Sequence, residues 1–118
     1  MAGQRGTIAV SATKVTMLAY DDTDGTGKMA IVISPSTRRF VHCWISATSY
    51  GAPAAVTGMT VGAAGTIITT HAANADLSIL ANTEGAIILD INLGGAATRY
   101  VMVEVAGVAW SKVLIVTA

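Results

Sequence analysis

Apolar and polar positions alternate with a period of two along much of this chain. In Arg99–Val105, Val101, Val103 and Val105 fall on one side, and Tyr100, Met102 and Glu104 fall on the other. Ile87, Leu89, Ile91 and Leu93 alternate with Ile88, Asp90 and Asn92, and Lys112, Leu114 and Val116 alternate with Val113, Ile115 and Thr117. Side chains two residues apart share a face of a strand, so the pattern predicts half-buried strands rather than helices of period 3.6. Further strands are expected at Val15–Tyr20, Met29–Ile33 and Arg38–Ala47, with shorter ones at Met59–Val61, Thr66–Thr70 and Thr7–Val10. Turn residues stand between them. Asp24-Gly25 with Gly27, Ser34-Pro35-Ser36 and Asn82-Thr83-Glu84-Gly85 each separate two runs, and Gly94-Gly95 is placed as a hairpin turn would be. In His71–Leu80 one short helical turn capped by Asn74 or Asp76 is expected.

Seven to nine short antiparallel strands about ten residues apart predict an all-β, single-domain β-sandwich or barrel over 1–118, with an N-terminal arm over about 1–12. Gly51–Gly65, rich in glycine and alanine, is too poor in large side chains to build core and is expected to be an ordered loop or edge segment laid against something else. Twelve Val and eleven Ile against six Leu, with fifteen Thr, is the vocabulary of sheets.

Composition narrows the function classes. The chain has 118 residues, 53% of them hydrophobic, only 12% charged, and a formal net charge of zero. Disorder needs low hydrophobicity and high charge, which excludes it here. Seven basic residues against seven acidic ones make no electrostatic nucleic-acid binder. No apolar run approaches the roughly 18 residues of a membrane span. The N-terminal segment has no continuous apolar core and Lys14 interrupts it, so no signal peptide and synthesis in the cytoplasm are expected. A single cysteine, Cys43, excludes an internal disulfide; in Phe40–Ile45 it reads as a small buried hydrophobe.

Candidate chemistry is thin. Asp21, Asp22 and Asp24 ahead of Gly25 resemble a calcium loop, but counting from Asp22 puts Ile33 where a bidentate Glu is needed. A solvated turn is the plainer reading. Gly27-Lys28 lacks the earlier glycine and the following hydroxyl of a phosphate loop. His42 shares a strand face with Phe40 and Trp44 and is expected to be a hydrogen-bonded structural residue; with His71 it would form a metal or triad site only by long-range convergence. Asp90 and Glu104 could meet across a hairpin, as a glycosidase would require, but opposed like charges on a strand face are more often simply solvated. Arg38-Arg39 point to opposite faces if they lie in a strand, so they form no single patch. Trp44, Tyr50 and Trp110 would suit sugar stacking if exposed, and core or interface packing otherwise. No catalytic, cofactor-binding or metal-ligating set is assigned from spacing.

A surface so poor in charge must be largely Ala, Gly, Thr and Ser, which suits permanent contact with other protein. The C-terminal third, Ala86–Val105 followed by Lys112–Ala118, resembles the closing strands of the capsid cement (decoration) proteins of tailed bacteriophages. The matching positions are Arg99, Tyr100, Val101, Val103, Val113, Thr117 and Ala118, while Gly107-Val-Ala-Trp110 replaces a more polar connection. The resemblance implies a jelly-roll-like sandwich without catalysis or cofactors. It further implies a dimer or trimer bound to the major capsid protein on the virion exterior, stabilising the shell by bridging capsomers. Expected contact residues are Gln4, Arg5, Ile8 and Val10 of the arm, Val56 and Met59 of the Ala/Gly loop, and Trp110. The alternative is a carbohydrate- or receptor-binding sandwich such as a head fibre or lectin-like module.

Overall fold

The computed structural model describes residues 13–22 and 24–117. Gln4, Arg5, Ile8, Val10 and the strand expected at Thr7–Val10 lie outside the described residues. Nine strands follow in order: β1 (Lys14–Asp21), β2 (Thr26–Ser34), β3 (Phe40–Ser46), β4 (Gly58–Val61), β5 (Thr66–Ala72), β6 (Asp76–Leu80), β7 (Ala86–Asn92), β8 (Ala97–Val105) and β9 (Val108–Val116). They form two antiparallel sheets, ordered β1-β2-β7-β4 and β5-β6-β3-β8-β9. The chain is therefore an all-β sandwich.

Its topology is jelly-roll-like in a definable sense. β2 pairs with β7, and β3, which lies between them in sequence, pairs with β6, so one long hairpin is folded across both sheets. β3–β8 and β4–β7 complete the Greek-key neighbours. At the edges the chain departs from that scheme, because β1 turns back onto β2 and β5 onto β6 as simple hairpins.

The alternation read from the sequence sets the core. Met29, Ile31 and Ile33 of β2 and Ile87, Leu89 and Ile91 of β7 face Val41, Cys43 and Ile45 of β3, Leu77 and Ile79 of β6 and Val101, Val103 and Val105 of β8. Leu114 and Val116 of β9 extend the same layer. Burying such side chains stabilises by about 1.5–3 kcal/mol each before entropy is counted.

Three expectations need correction. Residues 73–75 form a tight turn joining β5 to β6, with Asn74 at φ 58°, and no helical turn is present in 71–80. Strand hydrogen bonding satisfies this segment's backbone, and Asn74 instead accepts from Met59 N through Oδ1 at 3.2 Å. Gly94-Gly95 is not a hairpin turn, since β7 and β8 belong to different sheets and the two glycines begin a crossover. Within 51–65, β4 is an edge strand whose Met59 is buried in the core, with Val56 and Val61 packed against it. The edge placement and the strand at Met59–Val61 match the sequence reading; what fails is the inference from composition that this segment builds no core, because one large side chain is enough to anchor a short edge strand.

Candidate functional site: a histidine and carboxylate row on the outer face

The outer face of the second sheet carries the densest polar chemistry among the described residues. Because Val41, Cys43 and Ile45 point inward, His42 and Trp44 must point outward. His42 is paired in register with Ser78 of β6 on one side and Glu104 of β8 on the other. Asp76, opposite Trp44, lies on the same face. β5 adds His71 through an irregularity in its pairing with β6: Thr70 pairs with Leu77 and Ala72 with Asp76, leaving His71 as an extra residue. A bulge of this kind re-aims a side chain. Here the His71 ring reaches Ser78, with Nε2 and Oγ 2.6 Å apart. The row therefore runs His71, Asp76, His42, Glu104 across four neighbouring strands.

His42 holds the centre. Its Nε2 contacts Asp76 Oδ1 and its Nδ1 lies 3.4 Å from Glu104 Oε1. The His71 ring stands edge-on to it at 5.6 Å between centroids, and the Trp44 ring flanks it at 4.7 Å. Trp44 is itself fixed by donating from Nε1 to Gly51 O at 2.9 Å. Asp76 is the most shielded of the ion-pairing side chains here, at 16% exposure, whereas Glu104 at 43% is open to water. Directly beneath, Cys43 faces the core; burial first, and the nearby Asp76 charge second, push its thiol up to about 12. Such a thiol is neutral and inert at neutral pH.

The structural-histidine reading of His42 is consistent with these bonds. Spacing alone hid the convergence with His71, Asp76 and Glu104. His71 and Asp76 fell in a segment read as a helical turn, and Glu104 comes from a strand 62 residues away. The alternation of His42 with Phe40 and Trp44 supplied the face, but not its neighbours.

The other sequence candidates separate. Asp21 Oδ2 accepts from Thr117 N at 3.2 Å and from Thr117 Oγ1 at 2.5 Å, tying β1 to the end of β9. Asp22 pairs with Lys28 at 3.8 Å, and Asp24 occupies the β1–β2 turn at φ 61°. The three carboxylates thus serve different partners. Asp90 and Glu104 lie in different sheets, so they do not meet across a hairpin. Asp90 instead lines an open concavity of about 490 Å³ with Asp22, Lys28, Met59, Asn74 and Asn92. Arg38 and Arg39 precede β3 rather than belonging to it, and Arg39 donates from Nη2 to Pro35 O at 3.0 Å.

Of the expected contact residues that are described, Met59 is buried and Val56 and Trp110 pack against the core. Met59 therefore has little surface to offer a partner, because its side chain packs into the core under the sheet edge. Trp110 pairs with the inward-facing Val103, which puts it on the opposite face of the sheet from Trp44. The two indoles form no common platform. A feature not expected from the sequence is the apolar outer face of the first sheet: Leu18 pairs with Ala30, which pairs with Ile88, and Val32 lies in the adjoining row. Leu18 is 53% exposed, and Val32 and Tyr20 are 47% exposed.

No protein-family model, no curated protein and no solved structure matches this chain.

Proposed function

We propose that this protein is a structural virion component, a capsid cement protein that binds the outer surface of the major capsid shell and bridges capsomers. One observation carries the reading: the apolar row Leu18–Ala30–Ile88, in which Leu18 is exposed and Ala30 and Ile88 are half-buried, with exposed Val32 beside it, on a chain of only 12% charged residues. Such a face is costly to leave in water and suits burial against a protein surface. The strand pattern of the C-terminal third, which resembles the cement family, supports the capsid as the partner. Each copy would contribute modest contact area, and repetition over the shell would make the whole persistent. Self-association into a dimer or trimer would increase the number of attachments per particle. The glycan-binding alternative draws less support from the aromatics, because Trp110 lies on the opposite face from Trp44, although Tyr50 is 65% exposed in the loop whose backbone binds Met102 beside Trp44.

The test is co-sedimentation of purified protein with empty, expanded shells assembled from the major capsid protein encoded nearest to its gene. Saturable pelleting is expected at micromolar concentration, and its loss in Leu18→Asp with a retained fold. Absence of wild-type pelleting overturns the reading.

A further inference from the structure

We propose that His42, His71 and Asp76 form a binding site for a divalent transition-metal ion of the zinc type. One ring nitrogen from each histidine and one carboxylate oxygen of Asp76 already lie within 4.8 Å of one another. A tetrahedral ion with bonds of about 2.0–2.1 Å holds its donors roughly 3.3 Å apart. Small side-chain rotations close the set, and His71 is exposed, with its ring held at Nε2 by Ser78 Oγ. Two imidazoles and one carboxylate suit borderline ions such as zinc, whereas calcium and magnesium prefer all-oxygen sites.

Three further observations point the same way. The chain has only two histidines, and both come to this place from different strands. His71 gets there through a local irregularity in β5 rather than through regular pairing. Each histidine also has an outer partner, Glu104 for His42 and Ser78 for His71. A carboxylate behind a ligating histidine fixes its tautomer and raises its basicity, as metal sites commonly require. Glu104 is thus a positioning residue rather than a ligand. Three protein donors leave at least one coordination position, which water or a donor from a neighbouring chain would fill. The site lies on the opposite sheet from the apolar face that carries the capsid reading, so the two proposals stand or fall separately.

The experiment titrates the metal-free, full-length protein with zinc by calorimetry and with cobalt by visible absorption, with magnesium and calcium as controls. One equivalent of zinc is expected to bind in the micromolar range or tighter, with cobalt giving the d–d bands of a low-coordinate site. Saturating zinc raises the midpoint of thermal unfolding by about 5 °C or more. His71→Ala, at an exposed edge position that leaves folding intact, abolishes the cobalt bands, as does Asp76→Asn. Glu104→Gln keeps the bands and weakens affinity by about 10–100-fold. No saturable zinc binding by the wild type overturns the proposal. Binding that survives both His71→Ala and Asp76→Asn overturns it equally, since it reveals an adventitious ion only.

Discussion

Gly25 and Gly95 meet backbone to backbone: a Cβ built on Gly25 would lie 2.4 Å from the amide nitrogen of Gly95. The contact joins the β1–β2 turn to the crossover that carries the chain from β7 to β8. It is reinforced by Leu93 N donating to Gly25 O at 2.8 Å. Gly25 also has φ +76°, where any side chain is strained. Gly25→Ala is therefore expected to lose stability twice, through the left-handed backbone and through the clash, by about 3 kcal/mol or more. Gly107 provides the control. Its φ is +82°, yet nothing lies within 4 Å of its added Cβ, so Gly107→Ala should cost only about 1 kcal/mol. Urea denaturation of the two variants measures the difference, and equal losses would show that packing at Gly25 contributes nothing.

The β8–β9 hairpin turns through Ala106 and Gly107, between the paired residues Val105 and Val108. Both turn residues have positive φ, 51° for Ala106 and 82° for Gly107, the signature of a type I′ turn. Ala106 is poorly suited to that conformation, whereas Asn tolerates it. Ala106→Asn is expected to stabilise the protein by about 0.5–1 kcal/mol, seen as a higher urea midpoint with an unchanged slope. A lower midpoint would refute the turn assignment.

These turns mark where sequence reasoning succeeded and where it stopped. Strand positions were legible because Val101, Val103 and Val105 or Ile87, Leu89 and Ile91 each declare a buried face by period alone. Partnership between strands was not, because alternation carries no information about which sheet a strand joins. Hence Gly94-Gly95 suggested a hairpin, although it serves a crossover between sheets. The same limit applied to chemistry. His42 could be placed on a face with Trp44, but its neighbours Asp76 and Glu104 follow from the β6-β3-β8 order. His71 was hidden more deeply, since it reaches the row as the extra residue of an irregular pairing that no periodicity announces.

Cys43 sets a pH dependence. Its thiol is pushed up from the ordinary 9.0 to about 12, chiefly by burial. A group held neutral in this way contributes stability that is complete below the unfolded pKa and is lost as pH rises toward the folded one. The window is thus about pH 9 to 12, and the loss is at most about 1.4 kcal/mol per pH unit. Cys43→Ala removes this dependence while costing some packing. The stability gap between wild type and variant should narrow as pH is raised through about 9 to 11 in urea titrations. A gap that stays constant over that range would contradict thiol burial. Thiol reagents should label the native protein only at the rate of unfolding.

Leu89 and Leu18 separate the demands of folding from those of docking. Leu89 of β7 is fully buried between the sheets, whereas Leu18 of β1 is 53% exposed on the outer face of the first sheet. Leu89→Ala removes buried methyl groups and leaves a cavity, which should cost about 2–5 kcal/mol. Leu18→Ala removes little packing and should change stability by no more than about 0.5 kcal/mol. On expanded shells the order is expected to reverse. Folded Leu89→Ala protein, held well below its midpoint, should co-sediment like wild type, while Leu18→Ala should bind more weakly and Leu18→Asp not at all. Fully burying a side chain of this size stabilises by about 1.5–3 kcal/mol, and Leu18 has about half of its surface left to bury, so a single Leu18→Ala change should weaken each attachment by roughly three- to tenfold. If Leu18→Asp binds shells as wild type does, the apolar row is not the docking face, whatever its exposure.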